Sequence, residues 1–228
     1  MSVRGDKDMN RGTKISSNDA WIAAILLGFL VAFFGAATVF QLRSDEVIWM
    51  EGSPLDIMHG SILWMAASTA MMVGVLRLGT PRLAVLWLLG AAVIGVVALD
   101  ELFMLHEHSV KLTGDDDHPK MLLIASAGIG IFVLTKVETL RGIVIGLLLA
   151  GFAAHVFYLI MDMGDGDYFQ VPLANHVHRT LEEYFEMIAS AFYFSAFFFH
   201  AATLATSVAV AMRVANDDVK TSRIARAA

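Results

Sequence analysis

Acidic and imidazole side chains lie close to the ends of several long apolar segments. Asp100 and Glu101 fall inside one such segment, about one and a half helical turns before it ends, and His106 and Glu107 follow it. Ionisable groups at membrane depth are costly and by default mark a functional site. The candidate metal ligands are His59, Asp100, Glu101, His106, Glu107, His155, Asp162, Glu183 and Glu186.

The spacing of these residues places several of them on shared helix faces. Asp100 and Glu107 are seven residues apart, and Glu183 and Glu186 are three apart. Residues at these separations lie on one side of an α-helix. Carboxylates and imidazoles that converge from different helices suit Zn, Fe or Mn, whereas Cu(I) prefers sulfur. We therefore expect a divalent metal ion or bound protons at this site.

The composition indicates that these segments lie in a bilayer. The 228 residues are 57% hydrophobic and 17% charged, with a mean hydropathy of +0.65. A water-soluble domain is usually less apolar and more highly charged. The basic residues are scattered along the chain, so we expect no nucleic-acid partner. The chain contains no cysteine, which excludes disulfides, thiolate metal sites and iron–sulfur clusters.

Six apolar segments approach or reach the roughly 20 residues that a helix needs to cross about 30 Å of hydrocarbon. The predicted spans are Trp21–Phe40, Ile57–Leu76, Leu83–Leu105, Met121–Thr135, Gly142–Met161 and Met187–Met212. We therefore predict an all-α fold, a polytopic bundle of six transmembrane helices over residues 21–212. Residues 1–20 and 213–228 are predicted to be tails, and the first span is expected to be retained rather than cleaved as a signal peptide.

Lysine and arginine positions predict the orientation of the bundle. Twelve of the 16 basic residues lie before the first span, after the last span, or in the loops 77–82 and 136–141. The positive-inside rule then places both termini in the cytoplasm. Most acidic residues and seven of the eight histidines fall on the other side, which is expected to face the periplasm of a bacterial inner membrane.

This orientation makes negative charge unfavourable at several candidate ligands. Asp100, Glu101, Glu107 and Asp162 lie near the ends of helices that run outward, where the helix dipole disfavours carboxylates. No Lys or Arg accompanies these acids within the predicted spans. We therefore expect Glu101, Glu107 and Glu186 to share one cation or proton, with carboxyl groups within roughly 8 Å of one another.

Several acids have a structural explanation instead. The ranges Ser53–Asp56 and Thr180–Glu183 resemble capping boxes, in which an acid three residues after the cap faces the positive end of the helix dipole. Pro54 would then open the second span, and Thr180 would cap the sixth. The buried acids could also form a polar network that fixes helix packing. Its hydrogen-bond partners would be Tyr184, Tyr193, Ser190 or His155.

Two short motifs carry a resemblance to a known group of proteins. Leu99-Asp100-Glu101 with His106-Glu107, and the run Glu182–Glu186, resemble a pattern in uncharacterised bacterial multi-pass membrane proteins. This resemblance implies no activity. Ferritin-like di-iron bundles use Glu-x-x-His motifs, and the closest variant here is Asp56-Ile57-Met58-His59. Alkaline-ceramidase-like hydrolases use a late His-x-x-x-His pair, which this sequence does not contain.

Three functions remain open from sequence. The first is a metal-binding membrane protein, which as an enzyme would act on a lipid or another small apolar substrate. The second is a component of a proton- or cation-coupled transporter, in which buried carboxylates carry the ion and His200 is the evident relay toward the cytoplasm. The third is a non-catalytic subunit whose outer face binds a membrane partner.

Overall fold

A computed structural model describes residues 54–103, 117–165 and 175–227, together with the single positions Gly28, Ala32, Gly35, Ala36 and Val39. Five continuous helices make up the regular structure of the described ranges, which contain no strand. The helices are α1 (Pro54–Leu76), α2 (Pro81–Phe103), α3 (Asp117–Val137), α4 (Gly142–Asp165) and α5 (Asn175–Ala227). The prediction of an all-α fold is confirmed for this part of the chain.

Each of these helices contains a stretch that is long and apolar enough to cross a membrane. The stretches are Ile57–Leu76, Pro81–Phe103, Lys120–Val137, Gly142–Met163 and Val177–Asp217. They correspond to the second to sixth predicted spans. The first predicted span lies outside the described residues except for five positions, all helical. The described part of the chain therefore has the architecture expected of a multi-pass membrane protein.

Local sequence explains where α1 and α2 begin. Pro54 and Pro81 are the first residues of these helices, where the fixed φ of proline favours helix and its missing N–H is not needed. The carbonyl of Thr80 accepts hydrogen bonds from the backbone N–H groups of Leu83 and Ala84, at 2.9 and 3.1 Å. Thr80 is therefore the N-cap of α2. The prediction that Pro54 opens the second span is confirmed.

The predicted cap of the last helix is wrong. Helix α5 begins at Asn175, so Thr180 lies inside it and not at its start. Glu182 and Glu183 are consequently beyond the first turn, where the N-terminal helix dipole has little effect. The sequence predicted a later start for this helix, because its apolar run begins only at Met187 and the residues before it are polar. The capping explanation for these two acids no longer applies.

The helices pack in the order α2, α1, α5, α4, α3. Small side chains fill the central contacts, including Ala66 and Ala70 of α1 and Ala196 and Ala201 of α5, each at most 1% exposed. Small residues let helix backbones approach closely in a bilayer, where the packing itself has to stabilise the contact. Helix α3 packs mainly on α4 and exposes Leu122, Ile129 and Phe132. Most of its surface is available to lipid.

A buried ion pair joins four elements at the end of the bundle that carries the α1–α2 and α3–α4 turns. Arg77, just after α1, donates from Nε and Nη2 to the two carboxylate oxygens of Glu138, just after α3. Trp87 of α2 donates from Nε1 to Glu138 Oε2 at 3.4 Å. His200 of α5 places Nε2 3.9 Å from Glu138 Oε1 and stacks on Trp87. The Glu138 side chain is 1% exposed, so its charge depends on Arg77.

Removal of Arg77 should destabilise the protein more than removal of Glu138. Arg77→Met leaves a buried carboxylate without its guanidinium, and we expect a loss of about 2–4 kcal/mol in the free energy of unfolding. Glu138→Gln should cost less, because Arg77 is 26% exposed and its guanidinium can reach water. Unfolding of the purified chain in detergent measures both values, and Arg82→Met at an exposed position is the matched control. Equal costs for all three substitutions would contradict the assignment.

Candidate metal centre

Three ligand groups from three helices converge at the opposite end of the bundle. His59 of α1, Glu101 of α2 and Glu186 of α5 each offer one ligand atom, and these atoms all lie within 4.8 Å of one another. His59 Nδ1 is 3.3 Å from Glu101 Oε2. Two ligands of a tetrahedral metal lie about 3.3 Å apart when each bond is about 2 Å. The observed separation therefore suits a small divalent cation.

A glycine beside His59 allows α1 and α2 to come together at this point. A Cβ on Gly60 would lie 2.7 Å from Cγ of Leu102 and 3.4 Å from Cβ of Glu101. The first distance is too short for any side chain, so only glycine fits without a shift of Leu102 or of the helices. This contact fixes the position of His59 relative to Glu101 along the two helices. The geometry of two of the three ligands thus depends on residue 60.

An apolar cluster fixes the third ligand. Ile62 of α1 packs with Met187 and Ala191 of α5, and all three side chains are at most 4% exposed. Met187 directly follows Glu186, and Ile62 lies three residues after His59. The cluster therefore holds the two ligands at the same depth. It also excludes water from the side of the site that faces the bundle core.

The second ring nitrogen of His59 has its own partner. Nε2 lies 2.8 Å from the Ser190 hydroxyl oxygen, one turn after Glu186 on α5. Both residues are 4% exposed. The imidazole is thus held between two helices, with Nδ1 directed toward Glu101. Ser190 is one of the partners that the sequence suggested for a polar network.

His155 of α4 lies beside the group of three ligands. Its ring is 5.8 Å from the ring of Tyr158 and 6.0 Å from that of Tyr193. It interacts electrostatically with His59 and Glu101. Its Nδ1 atom is buried and has no hydrogen-bond partner among the described residues. The structure places His155 next to the predicted site but outside the set of atoms that could bind one ion together.

Asp162 has a cationic partner, which corrects an expectation from sequence. Lys120 Nζ lies 2.9 and 3.1 Å from the two Asp162 oxygens. Lys120 directly precedes the predicted fourth span, so the sequence placed no lysine or arginine with these acids within the spans and did not predict this ion pair. Helix α3 begins at Asp117 and packs on α4, which brings Lys120 one turn into the helix and opposite Asp162. Asp162 also interacts electrostatically with Glu182.

The remaining predicted ligands fall into two groups. Asp100 and Glu183 are described and have other interactions, and Glu183 lies within electrostatic reach of Glu186, but neither belongs to the group of three. His106 and Glu107 lie outside the described residues. Of the three acids expected to share an ion, Glu101 and Glu186 are therefore together, and the position of Glu107 is not described.

Two charged residues were not recognised from sequence. The topology places Lys120 on the outer side, and its pairing with a residue 42 positions later has no sequence signal. The same topology places Glu138 on the cytoplasmic side. A usable signal did exist, because Glu138 is the single acid in the two predicted inner loops and lies between Lys136 and Arg141. An acid retained among basic residues at a membrane boundary favours an ion pair.

Comparison with known proteins gives a family for the chain but no relative of known activity. No curated protein and no solved structure matches it. Residues 49–201 match the family described as Domain of unknown function (DUF8692). This range begins shortly before α1, ends within α5 and includes all three converging ligands. It also covers more than half of the sequence, so the chain belongs to this family of uncharacterised domains.

Proposed function

We propose that this chain is an integral membrane protein that binds a divalent metal ion through His59, Glu101 and Glu186. The observation that supports this proposal is the convergence of one imidazole and two carboxyl groups from three helices within 4.8 Å. Two carboxylates at this separation in a poorly hydrated site repel each other and need a cation or a proton between them. Lys120, which lies on the same side of the bundle, already pairs with Asp162, and Arg77 and Lys136 lie at the other end.

The ligand chemistry narrows the choice of metal and suggests a use for it. One imidazole nitrogen and two carboxylate oxygens favour Zn, Fe or Mn. Three protein ligands leave at least one coordination position for water or another small molecule, as in catalytic rather than structural zinc sites. We propose a metal-dependent membrane enzyme, in which the ion would activate water or dioxygen against a lipid or another small apolar substrate. A membrane partner subunit at the same face is compatible with this role.

A proton-binding site is the second candidate, and a separate contact favours it. The carboxyl groups of Asp162 and Glu182 lie near each other and interact electrostatically. Two neighbouring carboxyl groups favour a state in which one of them carries a proton. Protons held in this way next to Glu186 would suit a component of a proton- or cation-coupled transporter. The buried apolar layer that includes Leu148, Ala196 and Phe197 opposes this role, because these hydrophobic side chains lie between the acids and His200.

The metal proposal predicts about one Zn, Fe or Mn ion per chain in protein purified in detergent, measured by elemental analysis. Glu101→Gln and Glu186→Gln should each lower metal affinity by more than about 100-fold, because loss of a residue that only hydrogen-bonds to a ligand already costs about 10–100-fold. Glu183→Gln is the matched control and should change the bound metal little. Absence of stoichiometric metal after growth and reconstitution with all three ions would contradict the proposal and favour the proton site.

We also propose that the bundle has six transmembrane helices with both termini in the cytoplasm, so that the metal site lies near the periplasmic boundary of a bacterial inner membrane. The basic residues of the two turns at the Arg77 end support this orientation. Reporter fusions after Lys14, Arg77, Lys136 and Arg213 should then report cytoplasm. Fusions near Glu51, Asp116 and Gly166 should report periplasm, and reversed signals at two adjacent loops would contradict the topology.

A further inference from the structure

Ser190 uses its hydroxyl differently from four other serines of the described helices. Ser61, Ser126, Ser195 and Ser207 each donate to the backbone carbonyl four residues earlier, at 2.6 to 2.9 Å. This is the usual bond of a serine within a helix. The Ser190 hydroxyl instead lies 2.8 Å from His59 Nε2 on another helix. Its role is therefore tied to the imidazole.

The contact permits two arrangements of the His59 proton. When Nδ1 carries it, Nδ1–H faces Glu101 Oε2 at 3.3 Å, and the serine O–H donates to Nε2. When Nε2 carries it, Nε2–H donates to the serine oxygen, and the Nδ1 lone pair faces the two carboxylates. A hydroxyl can donate or accept by rotation about its C–O bond, so Ser190 can serve either arrangement.

Each arrangement suits a different state of the site. Nδ1–H beside Glu101 suits the site without metal, because it places a donor against a carboxylate. A lone pair on Nδ1 is required of a metal ligand, since the ligating nitrogen of histidine carries no proton. A buried Nε2–H then needs an acceptor, and the serine oxygen supplies it. The imidazole is neutral in both arrangements, so the proton that Nδ1 gives up to water when the metal binds is balanced by one that Nε2 takes up from water.

We propose that Ser190 is a positioning residue that switches between donor and acceptor and thereby lets His59 present Nδ1 to the metal. This inference rests on the proposed metal site and adds the residue that controls the tautomer of its imidazole. It assigns Ser190 no contact with the ion. It also explains why a hydroxyl is retained at a position with 4% exposure beside an otherwise apolar cluster.

The test compares Ser190→Ala with Ser195→Ala in the full-length chain. Ser195 is the matched control, because it lies on the same helix, is 2% exposed and donates to the Ala191 carbonyl. Zn²⁺ affinity, measured by chelator competition, should fall about 10–100-fold in Ser190→Ala and stay within about threefold in Ser195→Ala. Ser190→Thr keeps the hydroxyl and should restore most of the affinity. Unfolding in detergent verifies that each variant is folded.

Nitrogen NMR of histidine-labelled protein supplies a readout that a purely structural role would not change. In the wild type, the His59 signals should show Nδ1–H without metal and Nε2–H with Zn²⁺, and His59→Asn assigns them. Wild-type Zn²⁺ binding with unchanged affinity in Ser190→Ala would overturn the role of Ser190 and leave the metal site intact. A metal-free wild type that already carries Nε2–H would overturn the switch. Failure of the wild type to bind Zn²⁺ would overturn the metal site, and the inference with it.

Discussion

The cost of placing ionisable side chains between apolar helices constrains the whole described structure. A charge removed from water needs a counter-charge, a proton or a metal, because the surrounding side chains cannot solvate it. Arg77 supplies the counter-charge for Glu138 at one end of the bundle, and Lys120 supplies it for Asp162 near the other. Glu101 and Glu186 instead lie beside His59 and beside each other. This difference separates the candidate site from the two ion pairs.

Close contacts between the helices position the side chains that share this charge. Gly60 lets α1 approach α2 beside His59, and the Ile62–Met187 contact fixes α1 against α5. All three ligands lie on helices, and the packing of those helices positions them. Preorganisation of this kind lowers the cost of bringing like charges together before an ion binds. The buried Arg77–Glu138 pair ties α1 to the α3–α4 turn and so stabilises the far end of the same helix.

Sequence predicted the helices well, because long apolar segments have few alternatives to a membrane span. The residue types of the site were also predictable, since His59, Glu101 and Glu186 interrupt or border apolar runs. The sequence did not predict which charged side chains form ion pairs with each other. The Lys120–Asp162 contact depends on the rotation of α3 and α4 about their axes, which hydropathy does not encode. The start of α5 was missed because Asn175 to Glu186 is too polar to extend an apolar pattern, although it continues the helix.

The proposed metal centre requires that one imidazole and two carboxylates share a single metal ion. X-ray absorption spectroscopy of the Zn²⁺-loaded chain tests this most directly, because it reports the type and distance of each ligand. We expect one imidazole nitrogen at about 2.0–2.1 Å and carboxylate oxygens at about 2.0–2.2 Å. The outer-shell scattering of the imidazole ring should disappear in His59→Asn. A spectrum with several imidazoles, or one that is unchanged in His59→Asn, would contradict the proposed centre.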